Sequence, residues 1–523
     1  MSHLSHIGDV LRLNTLLFGD RIGARDLERE MTFRDWNERS CRLANALLGL
    51  GLGKGDRVAV LAYNRMEWLE IYVAVAKAGL IAVPINFRLV GSEIRYIVEN
   101  CGATAMIVED VLAGAVEEIR ADLPVPGGNY VWLGEACPAG YRGYEDLLSA
   151  ASGAEPDVVV YPDDPYTLMY TSGTTGLPKG ALRSHRSTSM IAYVTDVEMG
   201  FTRDDAGLLV MPFCHANSLY FACALANCGA AVSVYSRRSF DPEHLLTAFA
   251  ETGATFTSLV PTHYIMMLGL SDAVKSNCDV RRMRRLMVSS APVRQDTKRD
   301  IMDLFPNGGL FEAYGSTEAG WVTVLRPDEQ LTKLSSIGRE CIGSLPIRLL
   351  DGEGRDVPPG EAGELYSCTP YTFDEYWREP EKTAAAFRGD YCTVGDLARR
   401  DEDGYFYLVD RKHNMIVSGG ENVYPSEVEN ILGGHPDVKD VAVIGLADDK
   451  WGERVHAVIV SHGSSLPSES QILDWCRSRI AGHKRPRSVS FLADDDMPRT
   501  ATGKILHREL RVMLSGDGRS IAR

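Results

Sequence analysis

Hydrophobic and polar positions follow two different rhythms along this chain. In the stretch 56–110, short apolar runs at 58–62, 82–85 and 105–108 alternate with helical patterns at 68–78 and 93–100. That alternation predicts βαβ units and a largely parallel sheet. The same rhythm returns over 165–318, with strand-like runs at 256–260 and 286–289. Residues 337–410 change character: 347–350, 364–367 and 405–409 read as short antiparallel strands joined by turns such as Asp351-Gly352. After Asp410-Arg411-Lys412 the pattern resets into a compact α+β tail, with a strand pair at 441–445 and 455–460. There Ser468 and Gln471 have capping-box spacing ahead of a helix over 472–480. The expected fold class is α/β. A large N-terminal domain of βαβ-type sheets, 1–410, carries a small β-rich subdomain at about 337–410 and is followed by an α+β C-terminal domain, 411–523.

A length of 523 residues supports this division, because single cores stop growing well below that size. A net charge of −16 removes nucleic acid from the expected partners, which would require a basic face. The one dense basic run, Arg281-Arg282-Met283-Arg284-Arg285, reads as the solvated end of a helix leading into the strand-like Leu286-Met287-Val288. Eleven cysteines are scattered without a CxxC pair, which fits buried thiols in a reducing compartment. Residues 1–17 lack the basic start and apolar core of a signal peptide. The most apolar stretch, 69–85, is broken by Glu70 and Lys77 and reads as a buried helix followed by a strand, not as a membrane span. The expected location is cytoplasmic.

The candidate chemistry starts at Tyr170-Thr171-Ser172-Gly173-Thr174-Thr175-Gly176-Leu177-Pro178-Lys179-Gly180. Three glycines allow backbone N–H groups to turn onto an anion, and the lysine adds a point charge. This is not the P-loop of kinases and GTPases, whose spacing would require glycine at Pro178 and Ser or Thr at Gly180. Composition alone would suit any Ser/Thr/Gly surface loop. The string in its order, however, resembles the phosphate-loop signature of the adenylate-forming, acyl-CoA synthetase-like superfamily.

Further elements resembling that family follow in order across nearly the whole chain. Ser289-Ser290-Ala291-Pro292 and Glu312-Ala313-Tyr314-Gly315-Ser316-Thr317-Glu318 precede Val394-Gly395-Asp396, Asp410-Arg411 and Pro498-Arg499-Thr500-Ala501-Thr502-Gly503-Lys504. The resemblance implies that Thr171, Ser172, Gly173, Thr174, Thr175, Gly176 and Lys179 bind nucleotide, with Ser290, Ala291, Pro292 and the segment Glu312, Ala313, Tyr314, Gly315 and Ser316. In it the tyrosine stacks on adenine, Thr317 contacts the α-phosphate, and Glu318 with Thr174 holds Mg²⁺, an ion suited to carboxylate and phosphate oxygens. The resemblance further implies that Asp396 accepts from both ribose hydroxyls, its carboxylate having two oxygens to offer, and that Arg411 is a second nucleotide contact. Val394 replaces the family's threonine, which is expected to weaken local hydrogen bonding. Lys504, His215 and Thr317 are the catalytic candidates that the resemblance implies, Lys504 by bridging the substrate carboxylate and the α-phosphate.

The segment Met211-Pro212-Phe213-Cys214-His215 resembles the part of the family that flanks the acyl tunnel, so Phe213, His215, Val260 and Ser289 are expected in the acyl pocket. Cys214 and His215 are taken as neighbours on an extended strand, facing opposite ways, which argues against a thiol nucleophile. Gly419, Gly420, Glu421 and Trp451 are the expected CoA contacts, and His413 stands at the family's hinge position, where Asp or Lys is usual. What the resemblance implies is adenylation of a carboxylic acid with ATP and Mg²⁺, then transfer of the acyl group to CoA, with the C-terminal domain mobile between the two steps. A fatty or aryl acid is expected, Ser289 favouring shorter chains where many relatives carry glycine. A carrier protein's phosphopantetheine is the alternative acceptor. The chain ends 19 residues after Lys504, with no fused carrier domain, which favours free CoA. A homodimer is compatible with this reading.

Overall fold

A computed structural model of the chain describes residues 6–171, 177–289, 293–411, 414–418, 421–448, 451–463, 466–477, 479–499 and 505–515, with the side chains of Arg411, Glu421 and Asn422 excepted. The chain forms two compact units, Met1–Pro346 with Ser367–Cys392, and Ile347–Tyr366 with Thr393–Arg523.

The first unit holds two large sheets. One has the order Glu375–Tyr376, Lys179–Ser184, Pro165–Thr171, Ile81–Ile85, Arg57–Leu61, Ala105–Glu109, Tyr130–Leu133 and Arg142–Gly143. From Pro165–Thr171 to Arg142–Gly143 its pairs are parallel, as the sequence rhythm predicts. Ile81–Ile85 and Ala105–Glu109 are buried at every position. Parallel strands covered on both faces need such continuous apolar runs rather than alternation. The helix Glu67–Lys77 is likewise buried at every residue. Its charged side chains are matched: Glu67 by Arg29 and Arg65, Glu70 by Arg39 and the Tyr144 hydroxyl, and Lys77 by Glu155. A buried charge without a partner would cost several kcal/mol.

The second sheet has the order Arg339–Glu340, Gly320–Leu325, Gly309–Ser316, Arg285–Ser289, Phe256–Leu259, Ala206–Leu209, Ala231–Val234, Ile22–Arg25 and Glu30–Thr32. Ala206–Leu209 is flanked by Ala231–Val234 on one side and Phe256–Leu259 on the other. The chain therefore leaves this strand in one direction and later returns on the opposite side. Such a switch point opens a crevice beyond the carboxyl ends of the strands. Arg57–Leu61 is a second switch point, flanked by Ile81–Ile85 and Ala105–Glu109. Asn64, just beyond that strand, ties the two together. Its Nδ2 donates to the Val210 and Met211 carbonyls, and its Oδ1 accepts from the Phe213 N–H.

The basic run at 281–285 is not a helix end. The preceding helix, Asp272–Asn277, stops earlier. The Asp279 carboxylate accepts from the Arg281 backbone and guanidinium, and the Met283 N–H donates to the Val280 carbonyl. An aspartate closing its own turn competes with helix continuation. Arg285 then opens the next strand and pairs with the buried Asp205 at 3.0 Å.

The second unit contains the antiparallel pair Asp396–Arg400 and Phe406–Arg411, with Asp396 opposite Arg411. Residues 393–411 belong to the same unit as the tail, and Asp410 joins the two by accepting from the Ser426 N–H. A separate five-stranded sheet is built on the long hairpin Val438–Asp448 and Gly452–Ser461. Val441, Val443, Val455, Ala457 and Ile459 join one apolar cluster, while Ala442, Ile444, Leu446, Val458 and Val460 join another. A period of two thus buries both faces of one hairpin. The helix Glu469–Arg477 opens with the expected box: the Gln471 N–H donates to Ser468 Oγ, and the Ser468 N–H to Gln471 Oε1. Among the described residues no helix is long and apolar enough to cross a membrane.

Candidate active site

In the first unit the phosphate-loop signature leaves the end of Pro165–Thr171 and returns into Lys179–Ser184, an antiparallel pair in which Thr171 faces Lys179. Ser172, Gly173, Thr174, Thr175 and Gly176 lie outside the described residues. The base of the loop is fastened from both sides, because the Tyr170 hydroxyl donates to Asn100 Oδ1 and the Tyr96 hydroxyl to the Pro178 carbonyl.

Beside this base lies the turn between Gly309–Ser316 and Gly320–Leu325. Gly315 is needed there, since a Cβ would stand 2.1 Å from the Gly320 carbonyl oxygen. Ser316 Oγ accepts from the Ala319 N–H, drawing the turn closed. The fully buried Arg183 donates to the carbonyls of Thr317, Glu318 and Tyr371. Thr317 and Glu318 are thereby presented by a turn anchored from beneath. The Glu318 carboxylate is buried. Its Oε1 accepts from the Tyr376 hydroxyl at 2.9 Å and the Thr171 hydroxyl at 3.3 Å, while Oε2 has no hydrogen-bond or ion-pair partner among the described residues. Lys179 Nζ lies 4.7 Å from the centroid of the Tyr376 ring.

One carboxylate oxygen left open beside a phosphate-loop base is a donor set that suits Mg²⁺, which commonly takes one or two carboxylates and completes its shell with phosphate and water. Among the described residues no group of three His, Cys, Asp or Glu gathers elsewhere to offer an all-protein cage. Within the preceding strand, Glu312 is buried and its carboxylate is engaged by Lys298 at 2.5 Å, so it takes no open position. Ala313 is buried and Tyr314 is half-buried near the end of the same strand.

At the first switch point, 213–215 form a turn rather than an extended strand. The His215 N–H donates to the Pro212 carbonyl, and His215 precedes the helix Ala216–Asn227. The expectation of opposite-facing neighbours on a strand is corrected accordingly: the short strand Ala206–Leu209 has already ended, and Asn64 draws the chain into the turn. Phe213 is wholly buried in the main core, and its carbonyl accepts from the Tyr72 hydroxyl. Burial pushes the Cys214 thiol up to about 12, which disfavours a thiolate. Burial, helped by the Arg88 charge, lowers His215 to about 4 and keeps its imidazole neutral near pH 7. Ser289, at the end of Arg285–Ser289, accepts from Asn217 Nδ2 at 3.3 Å, and Val260 opens the helix Pro261–Leu268. Residues from the carboxyl ends of three strands therefore gather at the crevice.

In the second unit Gly395 adopts φ +80°, a region that glycine enters freely, and places Asp396 at the start of its strand. Thr393 supplies the hydroxyl missing at Val394. It accepts from the Gly395 N–H at 3.0 Å and donates to Glu364 Oε1 at 3.1 Å. Asp410 accepts from the Ser426 N–H at the opening of Pro425–Leu432. Arg487 lies over the Trp451 ring at 4.2 Å, covering one face of that indole. Ser290, Ala291, Pro292, His413, Gly419, Gly420 and Lys504 lie outside the described residues, as do the side chains of Arg411 and Glu421. Sequence reasoning did not single out Tyr376, Arg183 or Thr393. Only Thr393 carried a local signal, a hydroxyl residue one place from the substituted position.

The chain matches the family described as AMP-binding enzyme over residues 16–377 and the AMP-binding enzyme C-terminal domain over residues 427–504. It is 37% identical to a feruloyl-CoA synthase of Amycolatopsis sp. over 485 residues, covering 92% of this chain and 93% of that protein. It is 33% identical to the fatty acid–[acyl-carrier-protein] ligase ScoC of Streptomyces coeruleorubidus, covering 94% and 92%. Among solved structures, the anthranilate CoA ligase AuaEII in complex with anthranoyl-AMP superposes with a TM-score of 0.87 at 28% identity, covering 97% of each chain.

Proposed function

Because this chain belongs to the AMP-binding enzyme family, the adenylate-forming superfamily of AMP-forming acid–thiol ligases, we propose that it is an ATP-dependent carboxylic acid–CoA ligase acting on a fatty or aryl acid. The observation that carries the reading is the meeting of Lys179 and Glu318 on Tyr376 at the base of the phosphate loop. A cation and a carboxylate with one oxygen unpartnered among the described residues, gathered on one ring, support assigning a triphosphate to this place. In the first half-reaction an oxygen of the substrate carboxylate attacks the α-phosphorus of ATP. The bond from that phosphorus to the bridging oxygen breaks, and pyrophosphate leaves. In the second, the CoA sulfur attacks the acyl carbon, AMP departs with the electron pair, and the thiol proton passes to solvent.

Thr171 and Lys179, with the loop Ser172, Gly173, Thr174, Thr175 and Gly176, are assigned to the phosphates. Glu318 and Thr174 would hold Mg²⁺, which when bound offsets phosphate charge. Asp396 is assigned to the ribose hydroxyls, Lys504 to the charge that concentrates between the carboxylate and the α-phosphate, and Gly419, Gly420, Glu421 and Trp451 to CoA. A cytoplasmic setting completes the reading and is consistent with eleven free cysteines. The decisive experiment supplies ATP, Mg²⁺ and CoA with a panel of fatty and aryl acids and measures pyrophosphate release and thioester. Absence of pyrophosphate with every acid would sink the proposal. One observation favours a second acceptor, the likeness to ScoC. Acyl transfer to a phosphopantetheinylated carrier but not to CoA would establish that acceptor instead.

A further inference from the structure

We propose that Tyr376 is the positioning residue of the triphosphate site, its hydroxyl aiming the Glu318 carboxylate and its ring backing the Lys179 ammonium. The inference rests on the acid–CoA ligase reading for what these two charges hold, and on the geometry for how they are held.

Glu318 stands on a three-residue turn, and both hydroxyls that reach it choose the same oxygen: Tyr376 at 2.9 Å and Thr171 at 3.3 Å on Oε1. A carboxylate with one oxygen pinned cannot rotate freely, and the other oxygen keeps a fixed direction. Tyr376 is itself immobilised. Its backbone pairs with Ala181 in the strand that begins at Lys179, its N–H donates to Thr383 Oγ1 at 2.9 Å, and its ring meets Phe373 edge to face at 4.8 Å. The same ring lies 4.7 Å from Lys179 Nζ. Its π face attracts an ammonium without neutralising it.

The residue type follows from these two demands. A lysine or arginine at this place would hold Glu318 equally well, but it would cancel the charge meant for a cation. A carboxylate would hold Lys179 but cancel the charge meant for phosphate. A phenol supports both and neutralises neither. Thr171 alone, at the longer distance, leaves the carboxylate less constrained.

Y376F removes the hydroxyl and keeps the buried ring. The Mg²⁺ concentration that half-saturates the ATP-induced rise in melting temperature is expected to increase about tenfold. ATP stabilisation measured without metal is expected to stay the same. Y376L also removes the ring and is expected to weaken the metal-free ATP response. Y371F is the structural control. It loses a hydroxyl bond of 2.7 Å to the Trp321 carbonyl, and is expected to lower the melting temperature with unchanged Mg²⁺ dependence. A cycle with E318Q keeps the result independent of general destabilisation: in that background Y376F should no longer change the Mg²⁺ response. A Y376F titration that superimposes on wild type, or an equal loss in the E318Q background, overturns the proposal. A wild-type chain that shows neither Mg²⁺-dependent ATP stabilisation nor pyrophosphate release overturns the ligase reading and this inference with it. A wild-type response retained in Y376F overturns this inference alone.

Discussion

The role proposed for Asp396 would depend on its neighbours. Gly395 at φ +80° turns the chain, and Thr393 accepts the Gly395 N–H, so the carboxylate is aimed by the residues before it. With valine at 394 this turn is still hydrogen-bonded, because the Thr393 hydroxyl accepts the Gly395 N–H. That hydrogen bond was not legible in the sequence, since which of two adjacent side chains faces a turn depends on backbone torsions set by Gly395. Lys504 is the opposite case, a residue whose reading comes from its motif alone. Its ammonium is assigned to the adenylation step only. Lys504→Ala is expected to lower acid-dependent pyrophosphate release by at least about 10²–10³-fold, the usual loss for one preorganised charge-stabilising group. Thioester formation from a supplied acyl-adenylate and CoA should continue at a near wild-type rate. Stopped assays of the two half-reactions check this, and an equal collapse of both in a folded variant would count against the assignment.

At the scale of elements, the strands were legible to within about a residue where they are buried on both faces, as at Ile81–Ile85 and Ala105–Glu109. Continuous burial leaves a continuous apolar run, and a run has visible ends. Turns were less legible. The chain at 213–215 bends because Asn64, 149 residues from Phe213, accepts its N–H. The turn at 317–319 depends in the same way on a distant residue, Arg183, whose guanidinium serves three carbonyls. Arg183→Met would leave those buried acceptors unpaired at about 1–3 kcal/mol each, without simple additivity. A loss of at least about 3 kcal/mol in unfolding free energy, read from denaturant unfolding, is expected, together with loss of activity; a variant of wild-type stability would contradict this. The buried helix Glu67–Lys77 makes a pH-dependent prediction. Burial alone would raise Glu67, but hydrogen bonds from Arg65 and Arg29 outweigh it and hold the carboxyl at about 2, against about 4.5 when unfolded. A depressed folded pKa means stability that is fully present above about pH 4.5 and lost as pH falls toward 2, amounting to roughly 3 kcal/mol. The difference in thermal midpoint between wild type and E67Q should therefore be largest at neutral pH and shrink through that window. A difference constant with pH would refute it.

At the scale of the whole molecule, the reaction class was readable because its motifs keep their order over nearly the full length, matching the family over 16–377 and 427–504. The acid was not readable, because its crevice has no motif of its own. The crevice proposed for it lies at a topological switch point, beyond strand ends distant in sequence, where Asn217 meets Ser289. On the proposed reading, specificity would depend on bridges such as Asn217 to Ser289 at 3.3 Å, which no spacing rule would reveal. This bridge is open to a direct test. Ser289 is buried, and its side chain occupies volume that glycine would vacate. Ser289→Gly removes the acceptor for Asn217 Nδ2 and deepens the crevice, so longer fatty acids should gain in kcat/KM relative to short-chain and aryl acids. One or two methylenes of added depth are worth about 10–200-fold in discrimination at most, so a shift of about tenfold in the ratio is expected. The measurement is kcat/KM by pyrophosphate release across fatty acids of increasing length and a set of aryl acids, for wild type and S289G side by side. If the order of preference and the ratios are unchanged, Ser289 does not border the acid, and the crevice at the end of Arg285–Ser289 is not where chain length is read.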